Sequence, residues 1–252
     1  MSAAVELTGL SKAFDELDVV RPLDLRIEAG SFVSILGPSG CGKSTLLRLI
    51  AGLEAPTGGA VMIDGAAPTA RRAAKEIAIV PQQPGLLPWR TVSANASLLL
   101  DIDSRRNPSS HPDPLALLDE VGLRTFADRL PHELSGGMQQ RVALVRGFSL
   151  GAPLVLMDEP FAALDEITRA EMRDLLARIV ATHPATIVFV THSISEAVFL
   201  SDRVLVSSPR PANIVADVAI DLPRPRTSAI EDDAAFVEHC AVLRRHLREA
   251  MA

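Results

Sequence analysis

The stretch SFVSILGPSGCGKSTLLRLIAGL constrains this chain more than any other. An apolar run, SFVSIL, reads as a buried strand, and LLRLIAGL reads as a helix that buries Leu46, Leu47, Leu49 and Ile50. Between them GPSGCGKST keeps the spacing G-x-x-x-x-G-K-[ST], where such a loop has to lie to hold phosphate. Gly37, Gly40 and Gly42 let the backbone of Gly37, Pro38, Ser39, Gly40, Cys41, Gly42, Lys43, Ser44 and Thr45 turn tightly around an anion. A helix beginning near Lys43 aims its partial positive end at the same anion. The Lys43 ammonium is expected to reach the β- and γ-phosphates and the Ser44 hydroxyl to ligate Mg²⁺, with Thr45 supporting the turn and Cys41 serving only as a small loop residue.

The rest of the chain fits around that unit. VELTGLSKAF, VVRPLDLRIEAG and GGAVMIDGAAP mix alternating apolar residues with turn formers and read as short antiparallel strands. APLVLMDEP and ATIVFVTH are apolar on both faces, as central strands of a parallel sheet covered by helices must be. LALLDEVGL, MQQRVALVRGFSL and ITRAEMRDLLARIVATH carry helical patterns, whereas the prolines of DIDSRRNPSSHPDP predict an exposed loop. In the tail, Phe236, Cys240, Leu243 and Leu247 recur at helical spacing. The expected organisation is one domain over residues 1–230, with a helical subdomain at roughly 92–148, and a C-terminal helix over 231–252.

Composition removes several functions. No run approaches the roughly 18 apolar residues of a membrane-spanning helix, and the first residues show no basic region followed by an apolar stretch, so a cytoplasmic protein is expected. Two cysteines, Cys41 and Cys240, fit neither a disulfide framework nor a metal-ligand spacing. A net charge of -6 argues against a nucleic-acid partner, and Arg71–Arg72 and Arg105–Arg106 read as solvated surface.

LVLMDEP supplies a second half to the phosphate site. An apolar strand ending in Asp158 delivers a carboxylate to the sheet edge beside the phosphate loop, where it would hold the metal. Glu159 follows at once, and adjacent carboxylates can divide the work, one toward Mg²⁺ and one toward a water attacking the γ-phosphate. Another strand ends in His192, which suits a hydrogen bond to the γ-phosphate or to that water, or else a helix cap.

A second glycine turn, LSGGMQQR, opens another helix, with Ser135 as N-cap and the amides of Gly136 and Gly137 bare. One nucleotide's phosphates are already enclosed by the first loop. A second receptor makes most sense facing a nucleotide held by another copy of the chain.

Taken in order, GPSGCGKST, Gln82, LSGGMQQR, LVLMDEP, FAALD and THS resemble the ATP-binding subunits of ATP-binding-cassette (ABC) transporters, over nearly the whole chain from Val5 to about Arg226. The resemblance implies an α/β fold: a P-loop NTPase core with a mainly parallel sheet, an N-terminal antiparallel β subdomain and a helical subdomain carrying LSGGMQQR. It implies a head-to-tail dimer around two ATP with Mg²⁺, driving a separate transmembrane permease from the cytoplasmic face of the membrane, with an extracytoplasmic solute-binding protein as an indirect partner. By the same resemblance Phe14 stacks on adenine, Gln82 senses the γ-phosphate and Mg²⁺, and Ser135, Gly136, Gly137 and Asp165 face the opposite subunit. Glu159 is then the catalytic carboxylate and His192 the switch histidine, with Lys43 as the catalytic cation. A core position is the other reading of Phe14.

Departures are visible at Pro81, where an aromatic is common, at Ala162 in FAALD, and at VRG, residues 145–147, where ARA is common. LLPWRTVSAN, SSPRPANI and DLPRPR look like the ATPases of nitrate, sulfonate and taurine importers. There Leu86, Leu87 and Trp89 suit either a permease-docking surface or burial within the domain. Two other readings are a soluble ABC-type ATPase switch, which usually carries two cassettes or a basic surface, and the ATPase of an exporter or lipid transporter. A P-loop kinase leaves LSGGMQQR without a purpose.

Overall fold

The computed structural model describes residues 2–251. Its largest element is a six-stranded sheet in the order β5–β6–β7–β3–β8–β9, formed by β3 (Phe32–Leu36), β5 (Ile77–Val80), β6 (Leu154–Asp158), β7 (Thr186–Thr191), β8 (Arg203–Ser207) and β9 (Ile214–Ala219). The first five in that order run parallel; β9 returns antiparallel along β8. A second, three-stranded antiparallel sheet joins β1 (Val5–Phe14), β2 (Leu17–Ile27) and β4 (Gly58–Ile63), with β1 in the middle.

Strand pleating explains why the central strands are apolar throughout. Val33 and Ile35 of β3, Leu154 and Leu156 of β6, and Val188 and Val190 of β7 face one core, shared with the antiparallel sheet and α1 (Lys43–Ile50). Their alternates, Phe32, Leu36, Val155, Met157, Ile187 and Phe189, face the other core. Each large side chain so buried contributes roughly 1.5–3 kcal/mol of transfer free energy. The sheet is therefore a wall between two cores.

The second core is covered by helices. Between β5 and β6 lie α3 (Val92–Ala96), α4 (Leu98–Asp101), α5 (Pro114–Glu120) and α6 (Gly136–Ser149). Their residues Val92, Leu100, Leu117, Val142 and Val145 join the same apolar cluster as the sheet. α7 (Glu166–Thr182), α8 (Ile194–Leu200) and α9 (Ala234–Met251) complete it, the last through Phe236 and Leu243. The short α2 (Pro68–Ala73) follows β4. The loop predicted over 101–114 contains a 3₁₀ turn, Ser104–Arg106; others lie at Arg124–Phe126, Pro131–Glu133 and, in the tail, Ser228–Asp232.

One surface expectation is corrected. Arg71 is not simply solvated: it donates to the carbonyls of Ile63 and Asp64 and to Glu76, tying the end of β4 to α2, because a guanidinium has five donors and a carbonyl can accept two bonds, as that of Ile63 does from Ala66 and Arg71. Arg105 does remain exposed.

Gly147 explains one departure from the common sequence pattern. A Cβ there would meet Cγ2 of Val80 at 2.7 Å, so α6 approaches β5 too closely for alanine in this packing.

Candidate functional site

The phosphate loop forms between β3 and the first turn of α1. Gly42, the N-cap residue of α1, has φ 119°, and a Cβ there would meet the carbonyl oxygen of Val19 at 2.8 Å, so both backbone and space demand glycine. Lys43 is buried at 4% exposure. Its Nζ donates to the carbonyls of Gly37 and Pro38 at 2.9 and 2.8 Å and lies 3.4 Å from Oε1 of Glu159. The cation is thus parked on its own loop.

β6 and β7 are neighbours, and their C-terminal ends meet at this loop. Ser44 Oγ donates to Oδ1 of Asp158 at 2.7 Å. Burial pushes the Asp158 carboxyl above its ordinary range, and the charge of Glu159 adds to this, against the hydrogen bond from Ser44. Glu159 takes φ 44°, the left-handed region, which costs a non-glycine residue on the order of 1 kcal/mol. That twist directs its carboxylate to Lys43 on one side and to His192 on the other, where Nδ1 lies 3.0 Å from Oε2. Strain beside a buried cation and a half-exposed imidazole is a mark of chemistry rather than of packing.

A groove of about 300 Å³ opens over these residues, lined by Phe14, Leu17, Val19, Gly40, Gly42, Lys43, Ser44, Thr45, Glu159 and Arg210. Phe14 is 42% exposed at its rim with the Lys12 ammonium 4.5 Å from its ring centre, so it is not a core residue. Ser39 and Gly40 are exposed, while Gly37 and Cys41 are buried, the latter with Sγ 3.7 Å from the Ser207 hydroxyl. Pairing of Val80 with Met157 sets Gln82 one residue beyond the level of Asp158. Gln82 is exposed and does not line the groove.

The second glycine turn does not line the groove either. Ser135 caps α6, its hydroxyl accepting from the Met138 amide at 3.3 Å, and Ser135 and Gly136 are exposed. Nothing lies within 4 Å of a Cβ placed on Gly136, whereas one on Gly137 would meet Cγ2 of Thr168 at 2.8 Å. Asp165 is exposed and caps α7, accepting from the amide and hydroxyl of Thr168 at 3.0 and 2.7 Å. Those bonds hold its carboxyl below the usual range.

Of the apolar residues after Gln82, Trp89 stands out at 74% exposure. Leu86 packs partly against the larger core and Leu87 is half-buried, so Trp89 is the most exposed of the three residues expected at a docking surface. Two residues that sequence reading missed hold this segment. Asn95, fully buried on α3, accepts from the Leu87 amide and donates to the carbonyls of Leu87, Arg90 and Thr91. Arg146, on the helix opened by LSGGM, donates to the carbonyls of Gly85 and Pro84 at 2.9 and 2.5 Å. An asparagine after a threonine N-cap carries little local signal, and Arg146 acts across 61 residues of sequence.

Two neighbouring loops are also braced from behind. Arg169 on α7 donates to the Leu164 carbonyl at 2.6 Å and lies 3.7 Å from Glu196 on α8. Glu196 in turn accepts from the Thr191 hydroxyl at 2.5 Å, next to His192.

A profile of the family described as ABC transporter matches residues 20–162. The chain is 43% identical over 226 residues to the aliphatic sulfonates import ATP-binding protein SsuB 1 of Xanthomonas axonopodis pv. citri, covering 89% of each. It is 43% identical over 234 residues to the nitrate import ATP-binding protein NrtC of Synechococcus elongatus, covering 90% of this chain and 35% of that protein. Among solved structures, the dimeric post-hydrolysis state of the ATP-binding cassette MJ0796 bound to ADP and Pi matches with a TM-score of 0.73 at 30% identity, covering 87% of this chain and all of that one.

Proposed function

The chain belongs to the ABC transporter family as a P-loop ATPase, and from that premise we propose that it is the ATP-hydrolysing subunit of an importer, working as a homodimer on a separate membrane permease. The observation that carries the reading is the convergence of Lys43, Glu159 and His192 at the end of two adjacent parallel strands, beside the Ser44–Asp158 pair. The relatives' names favour a sulfonate or nitrate as the solute; taurine, a sulfonate that also carries an ammonium, belongs to the same reading, with an extracytoplasmic binding protein as the indirect partner.

The donor set fits Mg²⁺. Ser44 Oγ and Asp158 Oδ1 lie 2.7 Å apart, close enough to share one cation. Among the described residues no group of three or more His, Cys, Asp or Glu side chains gathers, so phosphate oxygens and water would supply the other ligands, as this ion prefers. Ser44 and Asp158 would hold it, Gln82 reaching it only if its exposed side chain turned in toward the groove, and bound Mg²⁺ would neutralise charge on the β- and γ-phosphates.

The chain's own residues do the rest by position and charge. Lys43 leaves the carbonyls of Gly37 and Pro38 for the β- and γ-phosphates. The Glu159 carboxylate orients the attacking water and takes its proton as the bond from the γ-phosphorus to the bridging oxygen breaks. His192, hydrogen-bonded to Glu159, holds that carboxylate in its strained position and reaches the γ-phosphate. Ser135, Gly136 and Gly137 present bare amides to the γ-phosphate bound by the other copy, and Asp165 lies at the same interface. ATP then favours the closed dimer, and loss of the γ-phosphate favours opening, by differential contact with the two states. Trp89 is presented to the permease.

The test is to isolate the tagged chain from detergent-solubilised native membranes and identify its partners by mass spectrometry. A multi-spanning permease supports the reading. Recovery only from the soluble fraction, with ribosomal or nucleic-acid partners, overturns it.

A further inference from the structure

SSPRPANI, so far only a likeness, forms the turn between β8 and β9, and it lies against the phosphate loop. Nη2 and Nε of Arg210 donate to the Gly40 carbonyl at 2.8 and 3.2 Å. The Ala212 amide donates to the Val19 carbonyl at 2.8 Å, and the Arg21 amide to the Ala212 carbonyl at 3.0 Å, so the turn is stitched to β2 as well. Arg210 thereby lines the same groove as Lys43, Ser44, Thr45 and Phe14.

Charge distinguishes the two cations lining the groove. Lys43 faces Glu159 at 3.4 Å and two loop carbonyls, and Asp158 and Glu159 add negative charge at the strand ends. Among the described residues Arg210 makes no ion pair, and its only hydrogen-bond acceptor is the Gly40 carbonyl. A polyphosphate entering the groove meets one cation already facing a carboxylate and one that, among the described residues, faces none. An arginine fork keeps donors to spare after two of its nitrogens are anchored, and suits phosphate oxygens.

We propose that Arg210 is a nucleotide-binding residue, a second cation that contacts the phosphates of a nucleoside di- or triphosphate from the β8–β9 turn. The proposal rests on the groove being the nucleotide site. Its anchor on Gly40 sets it at the phosphate loop rather than on Phe14, whose ring is already covered by Lys12. As an exposed charge it acts most at low ionic strength.

The alternative is that Arg210 merely tethers the turn to Gly40. Fluorescent N-methylanthraniloyl derivatives of ATP, ADP and AMP, titrated into the full chain, separate the two. Arg210→Gln keeps a neutral donor for Gly40 and loses the charge; Arg210→Lys keeps the charge. The proposal expects Arg210→Gln to weaken the ATP and ADP probes about five- to tenfold and the AMP probe less than about twofold. It expects Arg210→Lys to recover most of the loss, and the loss to shrink as salt rises from about 0.1 to 0.5 M. Unchanged affinities in Arg210→Gln, or an equal loss for all three probes, overturn it in favour of a tether. A parent chain that binds none of the probes removes the nucleotide site itself and the proposal with it.

Discussion

Arg169 Nε lies 3.7 Å from Oε1 of Glu196, and this contact braces the segment after β6 against the segment after β7. Arg169 holds the carbonyl of Leu164, beside Asp165, and Glu196 holds the hydroxyl of Thr191, beside His192. The two loops are thus joined behind the site by one buried carboxylate.

That carboxylate has a pH signature. Burial is the largest influence on Glu196 and raises its pKa above the ordinary 4.5, against the Thr191 hydroxyl and the Arg169 charge. The folded chain therefore holds this proton more tightly than the unfolded chain does. Its stabilising contribution is full below the ordinary carboxyl pKa and is lost as pH rises through the folded one. Glu196→Gln removes the dependence while keeping an acceptor for Thr191. Urea denaturation at several pH values from 5 to 8 should show the parent losing stability relative to the variant as pH rises; a gap that stays constant rejects the assignment.

Asn95 carries the second prediction. Replacing it with alanine leaves the Leu87 amide and the Arg90 carbonyl without a partner and takes one of two donors from the carbonyls of Leu87 and Thr91, a loss of about 1–3 kcal/mol. Trp89, the only tryptophan in the chain, sits in the held loop and reports its motion. Asn95→Ala should lower both the denaturation midpoint and the fluorescence anisotropy of Trp89. A variant with parental anisotropy would show that Arg146 alone holds the loop.

The two glycines of LSGGM separate packing from recognition. Gly136→Ala meets nothing within 4 Å and should leave the melting temperature within about 2 °C of the parent, yet weaken ATP-driven dimerisation by placing a methyl at the proposed interface. Gly137→Ala presses on Thr168 and through it on the Asp165 cap, costing about 1 kcal/mol of stability besides. Calorimetry and light scattering on both variants check this; equal dimerisation in Gly136→Ala contradicts the facing arrangement.

Local spacing made much of this legible. GPSGCGKST needs only its own glycines and its neighbours to become a phosphate loop, and apolar runs ending in Asp158 and His192 had to reach the sheet edge together once the strands were parallel. The strain at Glu159, the covering of Leu86 and the bonds of Arg71 were hidden, since each depends on elements that meet only on folding. Arg210 is the extreme: it meets Gly40 across 170 residues, and nothing in SSPRPANI alone says that its guanidinium faces a nucleotide groove. Motifs announce groups that act through neighbouring backbone; side chains that act at a distance in sequence show themselves only in three dimensions.

The central claim is that Glu159 drives hydrolysis inside a dimer closed by ATP, and Glu159→Gln tests it most directly. Sedimentation velocity with and without Mg-ATP should show a monomer converting to a dimer that retains two nucleotides, while turnover falls at least about 100-fold. A variant that hydrolyses ATP at the parental rate, or that stays monomeric at saturating Mg-ATP, contradicts it.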